Sequence, residues 1–388
     1  MNTRKNNIYF AIATIGFTIL LYFAASGLIS AVNHDEYDSS YYLYQIGLFT
    51  IALATIVIYK PKDRENGLIR LGVVFGTACM AVSFLSISFS LRSFMAVAFN
   101  YYAITLGLAF GICWGRLLSN HPRRDLYLLL LQVPPILCSL HLLQLEGFRS
   151  DTCFIIFLFF PFITLFRRKS LTAIFVLLYS IICIAAAKRS ILIAYALCLI
   201  VYILFYYRFT QTARKKTLRR LLFAAIIIAG VVWVLRTSFI DITYAFDRFD
   251  DIENTGGSGR SSLYDNILNG IFSSGALSLF FGHGYRAVIQ DFTIGAHNDF
   301  LEIMYDYGFL ALILYVVFVI RYLKIIPRRL KICDYEGAFT MIICAVVLLV
   351  LGLLNCIITS TIFELLLMMS IGTSIGMIQI KEEQIKEI

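Results

Sequence analysis

Ala338-Phe-Thr-Met-Ile-Ile-Cys-Ala-Val-Val-Leu-Leu-Val-Leu-Gly-Leu-Leu-Asn-Cys356 runs for 19 residues without a charged side chain. At ~1.5 Å of rise per residue, a helix of that length nearly spans a hydrocarbon core of ~30 Å. The run is not isolated. Comparable apolar stretches recur at 8–32, 41–59, 71–91, 97–115, 126–143, 152–166, 171–187, 190–207, 221–236, 299–320 and 362–380. Across all 388 residues, 60% are hydrophobic and 15% charged, against about 45–50% and about 25% in soluble domains. The sequence therefore predicts an all-α integral membrane protein of about twelve transmembrane helices, forming one polytopic domain over 1–388. The first run is too long for the apolar region of a cleaved signal peptide and reads as an uncleaved signal anchor. Pro134 and Pro135 fall inside the fifth run, where they predict a kink and not a boundary.

The formal net charge of +9 does not point to nucleic acid, because of where the cations lie. With the N-terminus in the cytoplasm and helices alternating, 25 of the 33 Lys and Arg fall in the cytoplasmic segments 1–7, 60–70, 116–125, 167–170, 208–220, 321–337 and 381–388. The other eight are Arg92, Arg149, Lys188, Arg189, Arg236, Arg248, Arg260 and Arg286. Such asymmetry in short loops places both termini in the cytoplasm. The basic clusters then act as orientation signals, with anionic lipid binding as their second possible role. Eight of the nine cysteines lie in or at the ends of apolar runs and none shows Cys-x-x-Cys spacing, so they read as small apolar residues.

One outer segment is long. Residues 237–298 separate the ninth and tenth runs, and insertions of that size usually carry function. After the flexible Thr255-Gly-Gly-Ser-Gly turn, Leu263, Ile267 and Ile271 recur every four residues. Asp265, Asn266 and Asn269 occupy the other face. An amphipathic helix over about 260–273 follows, suited to the membrane surface or to capping the bundle. Gly282-His-Gly-Tyr-Arg286 then forms a turn, and Gly295-Ala-His-Asn-Asp-Phe-Leu-Glu302 leads into the tenth run.

Several polar residues gather around this segment. Lys188 and Arg189 sit in a tight hairpin at the depth of lipid phosphates, where a cation either snorkels to head groups or binds a phosphate. Arg260 opens the amphipathic helix, with Tyr264 one turn on, and Arg286 closes the glycine turn. His297 precedes Asn298 and Asp299, both good N-cap residues, and a neutral imidazole there could serve as a base. Glu302 and Asp306 lie further along the same helix, able to pair with an outer arginine or to orient His297. Asp247, Asp250 and Asp251 are spaced weakly for a metal and read as a solvated turn. The set suits a pyrophosphate whose lipid tail lies in the bilayer: guanidinium forks match its oxygens, and a histidine takes the proton of an attacking hydroxyl. That chemistry is glycosyl transfer from a polyprenyl-pyrophosphate donor without a metal.

Three sequence elements carry a family resemblance. Phe281-Gly-His-Gly-Tyr is followed by Ala296-His-Asn-Asp-Phe-Leu-Glu302, and His297-Asn298 is followed after nine residues by Gly308-Phe-Leu-Ala311. This resembles the O-antigen ligase/polymerase superfamily of bacterial surface-polysaccharide enzymes, whose pattern is His-(Asn/Ser/Gln), nine residues, Gly-x-x-(Gly/Thr/Tyr). Ala311 departs at the last position. Ala187-Lys188-Arg189-Ser190 stands where the family carries a Ser-Arg-like element, with Lys188 in place of the common serine. Arg260 and Tyr264 match a further arginine and aromatic. The likeness covers about 180–320; the first 170 residues match in topology alone.

The resemblance implies a twelve-helix, GT-C-like bundle in the bacterial inner membrane, active on its periplasmic face. The chemistry would be metal-independent, cofactor-free and inverting, on a glycan carried by undecaprenyl pyrophosphate. His297 would activate the acceptor hydroxyl. Arg189 and Arg260 would hold the pyrophosphate with Arg286 as a weaker addition, and Lys188, Tyr264, Asn298 and Glu302 would support them. The compact outer loop favours polymerisation of lipid-linked repeat units, with a chain-length regulator as a partner, over ligation of a finished glycan to lipid A core. A lipid-linked oligosaccharide flippase is the alternative from another class. It is disfavoured because the two halves share no evident repeat and the candidate charges cluster on one face.

Overall fold

The computed structural model describes residues 3–34, 39–60, 66–85, 91–143, 153–186, 189–209, 260–331, 335–355, 357–358 and 360–386. Lys188, the expected ninth run at 221–236 and Asp247, Asp250 and Asp251 lie outside them. All regular structure among the described residues is helical. The chain forms α1 (Thr3–His34), α2 (Ser39–Tyr59), α3 (Asn66–Leu85), α4 (Leu91–Ser119), α5 (Arg124–Leu143), α6 (Cys153–Leu158), α7 (Phe160–Ile163), α8 (Lys169–Ala186) and α9 (Arg189–Phe209). Further along come α10 (Arg260–Ser273), α11 (Ala276–Phe281), α12 (Ala287–Phe292), α13 (Asp299–Lys331), α14 (Tyr335–Leu354) and α15 (Thr361–Lys386).

Among the described residues, seven helices are long and apolar enough to cross a membrane, within α1, α2, α3, α4, α13, α14 and α15; α8 and α9 contain shorter apolar stretches. The chain is a multi-pass membrane protein. Helix α5 continues through Pro134 and Pro135, so the prolines set no boundary there.

The 152–166 run is not one helix but α6 and α7. Pro161 at the start of α7 has no N–H to continue the ladder. The carbonyls left over find side-chain donors. Thr164 Oγ1 donates to Pro161 O at 2.7 Å, Thr172 Oγ1 to Ile163 O at 3.1 Å, and Arg124 Nη2 to Leu165 O. Irregular backbone of this kind is tolerated at membrane depth only when buried in protein, and residues 157–166 are all buried.

The centre of the bundle is the α4–α15 pair, joined by glycines the sequence analysis did not use. Gly107, Gly111 and Gly115 of α4 lie against Leu365, Gly372 and Thr373 of α15, and Gly372 and Gly376 lie against Leu108 and Ile112 of α4. A Cβ on Gly111 would meet Met369 O at 2.3 Å, and one on Gly372 would meet Leu108 O at 2.2 Å. Lipid offers helices no hydrophobic drive to associate, so close backbone approach through small residues provides the contact instead.

Ion pairs mark one end of the bundle. Arg116 Nη2 lies 3.2 Å from Glu383, Lys169 Nζ 2.9 Å from Glu336, and Arg329 pairs with Glu382. These contacts gather the end of α4, the start of α8, the α13–α14 turn and the end of α15. The start of α13, the end of α14 and the start of α15 therefore lie at the opposite end, where residues 260–298 return.

Candidate functional site

The returning segment forms a small core together with Tyr305 of α13. Ile267 and Ile271 of α10 are buried against Ala287, Val288, Ala296 and Tyr305, while Asp265, Asn266 and Asn269 are exposed. Leu263 and Leu268 pack partly buried beside Ile267 and Ile271, whereas Phe272 is 72% exposed.

Two glycines weld this core to the membrane helix. Gly282 (φ 75°) and Gly308 (φ 78°) adopt the same left-handed, extended backbone. A Cβ on Gly282 would meet Asp306 O at 2.3 Å, and one on Gly308 would meet Phe280 O at 2.3 Å. The bend at Gly308 breaks the α13 ladder and frees upstream carbonyls. The turn supplies their donors: His283 N–H bonds Tyr305 O at 3.0 Å and Gly284 N–H bonds Asp306 O at 2.8 Å. The glycine after His297-Asn298 is thus needed for docking the Gly282–Gly284 turn.

The acidic residues of α13 act on backbone. The Asp306 carboxylate accepts Arg286 N–H at 2.9 Å and Val288 N–H at 3.0 Å, capping α12, whose own N-cap residue offers no side-chain bond. Glu302 Oε2 accepts Ala296 N–H at 2.7 Å, fixing the residue before His297. Asp299 Oδ1 accepts Ile357 N–H at 2.8 Å and Ile358 N–H at 3.1 Å, tying the α14–α15 connection to the α13 start. The structure therefore assigns Asp306 to the Arg286 backbone, where pairing with an outer guanidinium or orienting His297 was the expectation.

Asn298 is the N-cap. Its Oδ1 accepts Phe300 N–H at 3.0 Å and Leu301 N–H at 3.2 Å, and its Nδ2 donates to Leu353 O at 3.3 Å. His297 sits before it at φ 52°, a left-handed position that is uncommon outside glycine. Tyr264 Oη donates to the His297 carbonyl at 3.4 Å.

Three sequence candidates gather at the last residues of α14. Arg260 Nη1 donates to Leu354 O at 3.1 Å, filling an orphan carbonyl of that helix end. Asn298 reaches Leu353 O, with His297 adjacent. Asn355 Nδ2 donates to Ser190 Oγ at 2.9 Å, which brings the start of α9 to the same place. Residues 165 positions apart in sequence meet here; Asn355 had no part in the expectations, whereas Asp299 was expected as an N-cap residue and Ser190 as the end of the Ala187–Ser190 element. No local pattern marks Asn355.

Arg286 and His283 lie elsewhere in this corner. Arg286 is exposed, and its guanidinium sits 5.8 Å from the Tyr285 ring. His283 stacks on Tyr305 at 4.4 Å between centroids, with Nδ1 3.1 Å from Tyr305 O. Tyr305 Oη in turn donates to Asp291 at 2.6 Å. The contacts of these two residues run to α12 and α13, not to the end of α14.

Compared with known proteins, residues 173–316 match the family described as O-antigen ligase. That stretch contains Arg189, Arg260, Tyr264, Arg286, His297, Asn298 and Glu302. The match supports the O-antigen ligase/polymerase superfamily resemblance carried by the His297–Gly308 spacing. It also suggests a glycosyltransferase-like enzyme with lipid-linked glycan substrates in a membrane. No curated protein matches the chain.

Proposed function

We propose that this chain polymerises undecaprenyl-pyrophosphate-linked oligosaccharide repeat units into a surface polysaccharide of the O-antigen or capsule type. It would do so as a twelve-helix, GT-C-like bundle of the bacterial inner membrane. Both termini are cytoplasmic, the 237–298 segment is periplasmic, and 1–388 is one domain. The observation that supports this most is the meeting of Arg260, Tyr264, His297, Asn298 and the first turn of α9 around Leu353–Asn355.

The acceptor hydroxyl attacks the anomeric carbon of the donor glycan from the face opposite the pyrophosphate. The new C–O bond forms as the anomeric C–O bond to phosphate breaks, which inverts the configuration. The hydroxyl proton passes to the His297 imidazole, and the electron pair leaves with the pyrophosphate. Arg189 and Arg260 stabilise that leaving charge, with Lys188 and Arg286 adding to the positive field. Tyr264 holds the His297 backbone. Asn298 caps α13 and Glu302 fixes Ala296, so both act on the position of His297 and not on the bond. A chain-length regulator would set product size.

The test is product length from a lipid-linked repeat unit in reconstituted membranes, for wild type and His297→Ala. Wild type should give a ladder of longer lipid-linked glycans, and the variant should lose about 10²–10⁴-fold in rate. A ladder that survived the substitution would remove His297 as the base. No wild-type ladder, but transfer to added lipid A core, would make the chain a ligase. Movement of lipid-linked glycan across vesicles without transfer would make it a flippase.

A further inference from the structure

The end of the bundle opposite the candidate site holds a second organised feature. Residues 122–126 and 167–171 meet there, held by Asp125. Its two oxygens accept Arg167 N–H at 2.8 Å and Arg168 N–H at 3.3 Å. The carboxylate is thus engaged with backbone. Arg167 Nη2 donates to Ser119 O at 3.0 Å, and among the described ion pairs none involves Arg123, Arg167 or Arg168.

These three exposed arginines border a cavity of about 480 Å³ whose other walls include Leu126, Leu129 and Leu171. The neighbouring His121 reports the local field. Burial, then the Arg123 and Arg167 charges, hold its imidazole below the ordinary histidine range.

The apolar wall continues along α5. Leu126, Val133 and Leu137 are 47%, 41% and 42% exposed, and their spacing of seven and four residues puts them on one helix face. In a multi-pass protein such a face meets acyl chains. A cationic mouth opening onto an apolar lane fits an amphiphile with an anionic head, and a soluble anion would have no use for the lane.

We propose that this groove binds an anionic phospholipid of the leaflet at that end. The Arg123, Arg167 and Arg168 guanidiniums would hold the phosphate, and the Leu126–Val133–Leu137 lane would hold the chains. The inference stands apart from the glycosyl-transfer reading, since neither these residues nor this end of the bundle takes part in it.

The experiment uses full-length protein in neutral detergent, titrated with phosphatidylglycerol or phosphatidylcholine and read by native mass spectrometry. Wild type should retain phosphatidylglycerol and not phosphatidylcholine. The double variant R123Q/R168Q leaves the Arg167–Ser119 bond in place and should lower phosphatidylglycerol affinity about 30-fold, at about tenfold per 1.4 kcal/mol and ~1 kcal/mol per cation. Leu126→Asp should weaken binding with all three arginines present. Arg328→Gln, an exposed cation outside the groove, should change affinity less than twofold. Equal retention of both lipids, undiminished binding in the double variant, or an equal loss in Arg328→Gln would overturn the proposal. Displacement of the lipid by millimolar inorganic phosphate would assign the groove to free phosphate and overturn it as well.

Discussion

At the scale of single residues, Asp306 shows how a membrane-depth carboxylate is used. The side chain is 1% exposed and accepts the amides of Arg286 and Val288, so it fixes the turn that docks on Gly308. Replacing it by alanine leaves two donors at the start of α12 without their acceptor. Asp306→Ala should cost about 1–3 kcal/mol per stranded amide, read as a lower midpoint in thermal or SDS denaturation. Arg260 is a different case, since its Nη1–Leu354 O bond leaves the other guanidinium nitrogens to meet a pyrophosphate. Arg260→Lys keeps the charge and loses the planar fork. Turnover should fall about tenfold or more, equivalent to ~1.4 kcal/mol, with the denaturation midpoint little changed. A midpoint that fell as far as in Asp306→Ala would instead make Arg260 a structural clamp on α14. The sequence made the Asn298 cap legible, because N-caps follow local rules; it marked Arg260, Tyr264 and His297 as candidates by their helix-start positions and by the family resemblance. Asp306 was legible only as a costly group in need of a partner, since amides at positions 286 and 288 carry no sequence mark.

At the scale of elements, the glycines define which helices and turns meet. Gly308→Ala would force a side chain into a φ of 78° and to 2.3 Å from Phe280 O. The strained backbone alone costs ~1–3 kcal/mol, and the overlap pushes the Gly282–Gly284 turn off α13. Loss of the folded corner, and of transfer activity with it, is the expected outcome. Gly275→Ala is the control. Nothing lies within 4 Å of a Cβ there, and its φ of −63° suits any residue, so its effect should stay within about 0.5 kcal/mol. If both variants denatured alike, the Gly282–Gly308 contact would not be what fixes the corner. Helix α10 was readable from its period of four residues, since burying one face against a local core is what that period encodes. The break between α6 and α7 was less so, because Pro161 signals a helix start as readily as a kink. The α4–α15 glycine seam pairs residues more than 250 positions apart, and hydropathy alone cannot reveal such a partner.

At the scale of the whole molecule, the two ends of the bundle differ in kind. One carries ion pairs such as Arg116–Glu383 and Lys169–Glu336, together with the Arg123–Arg168 groove. The other carries the docked outer corner and the polar contacts around Leu353–Asn355. By the positive-inside rule the first is expected to face the cytoplasm. Accordingly, Asn120→Cys and Ser273→Cys, both at exposed positions, should react oppositely with a membrane-impermeant maleimide. In intact spheroplasts Ser273→Cys should label above the wild-type background and Asn120→Cys only after permeabilisation. The reverse pattern would invert the topology and place His297 and Arg260 on the cytoplasmic side. Polymerisation on the outer face would then be untenable even with every contact of the corner intact, because contacts fix which residues meet while the charge asymmetry fixes which compartment they meet in.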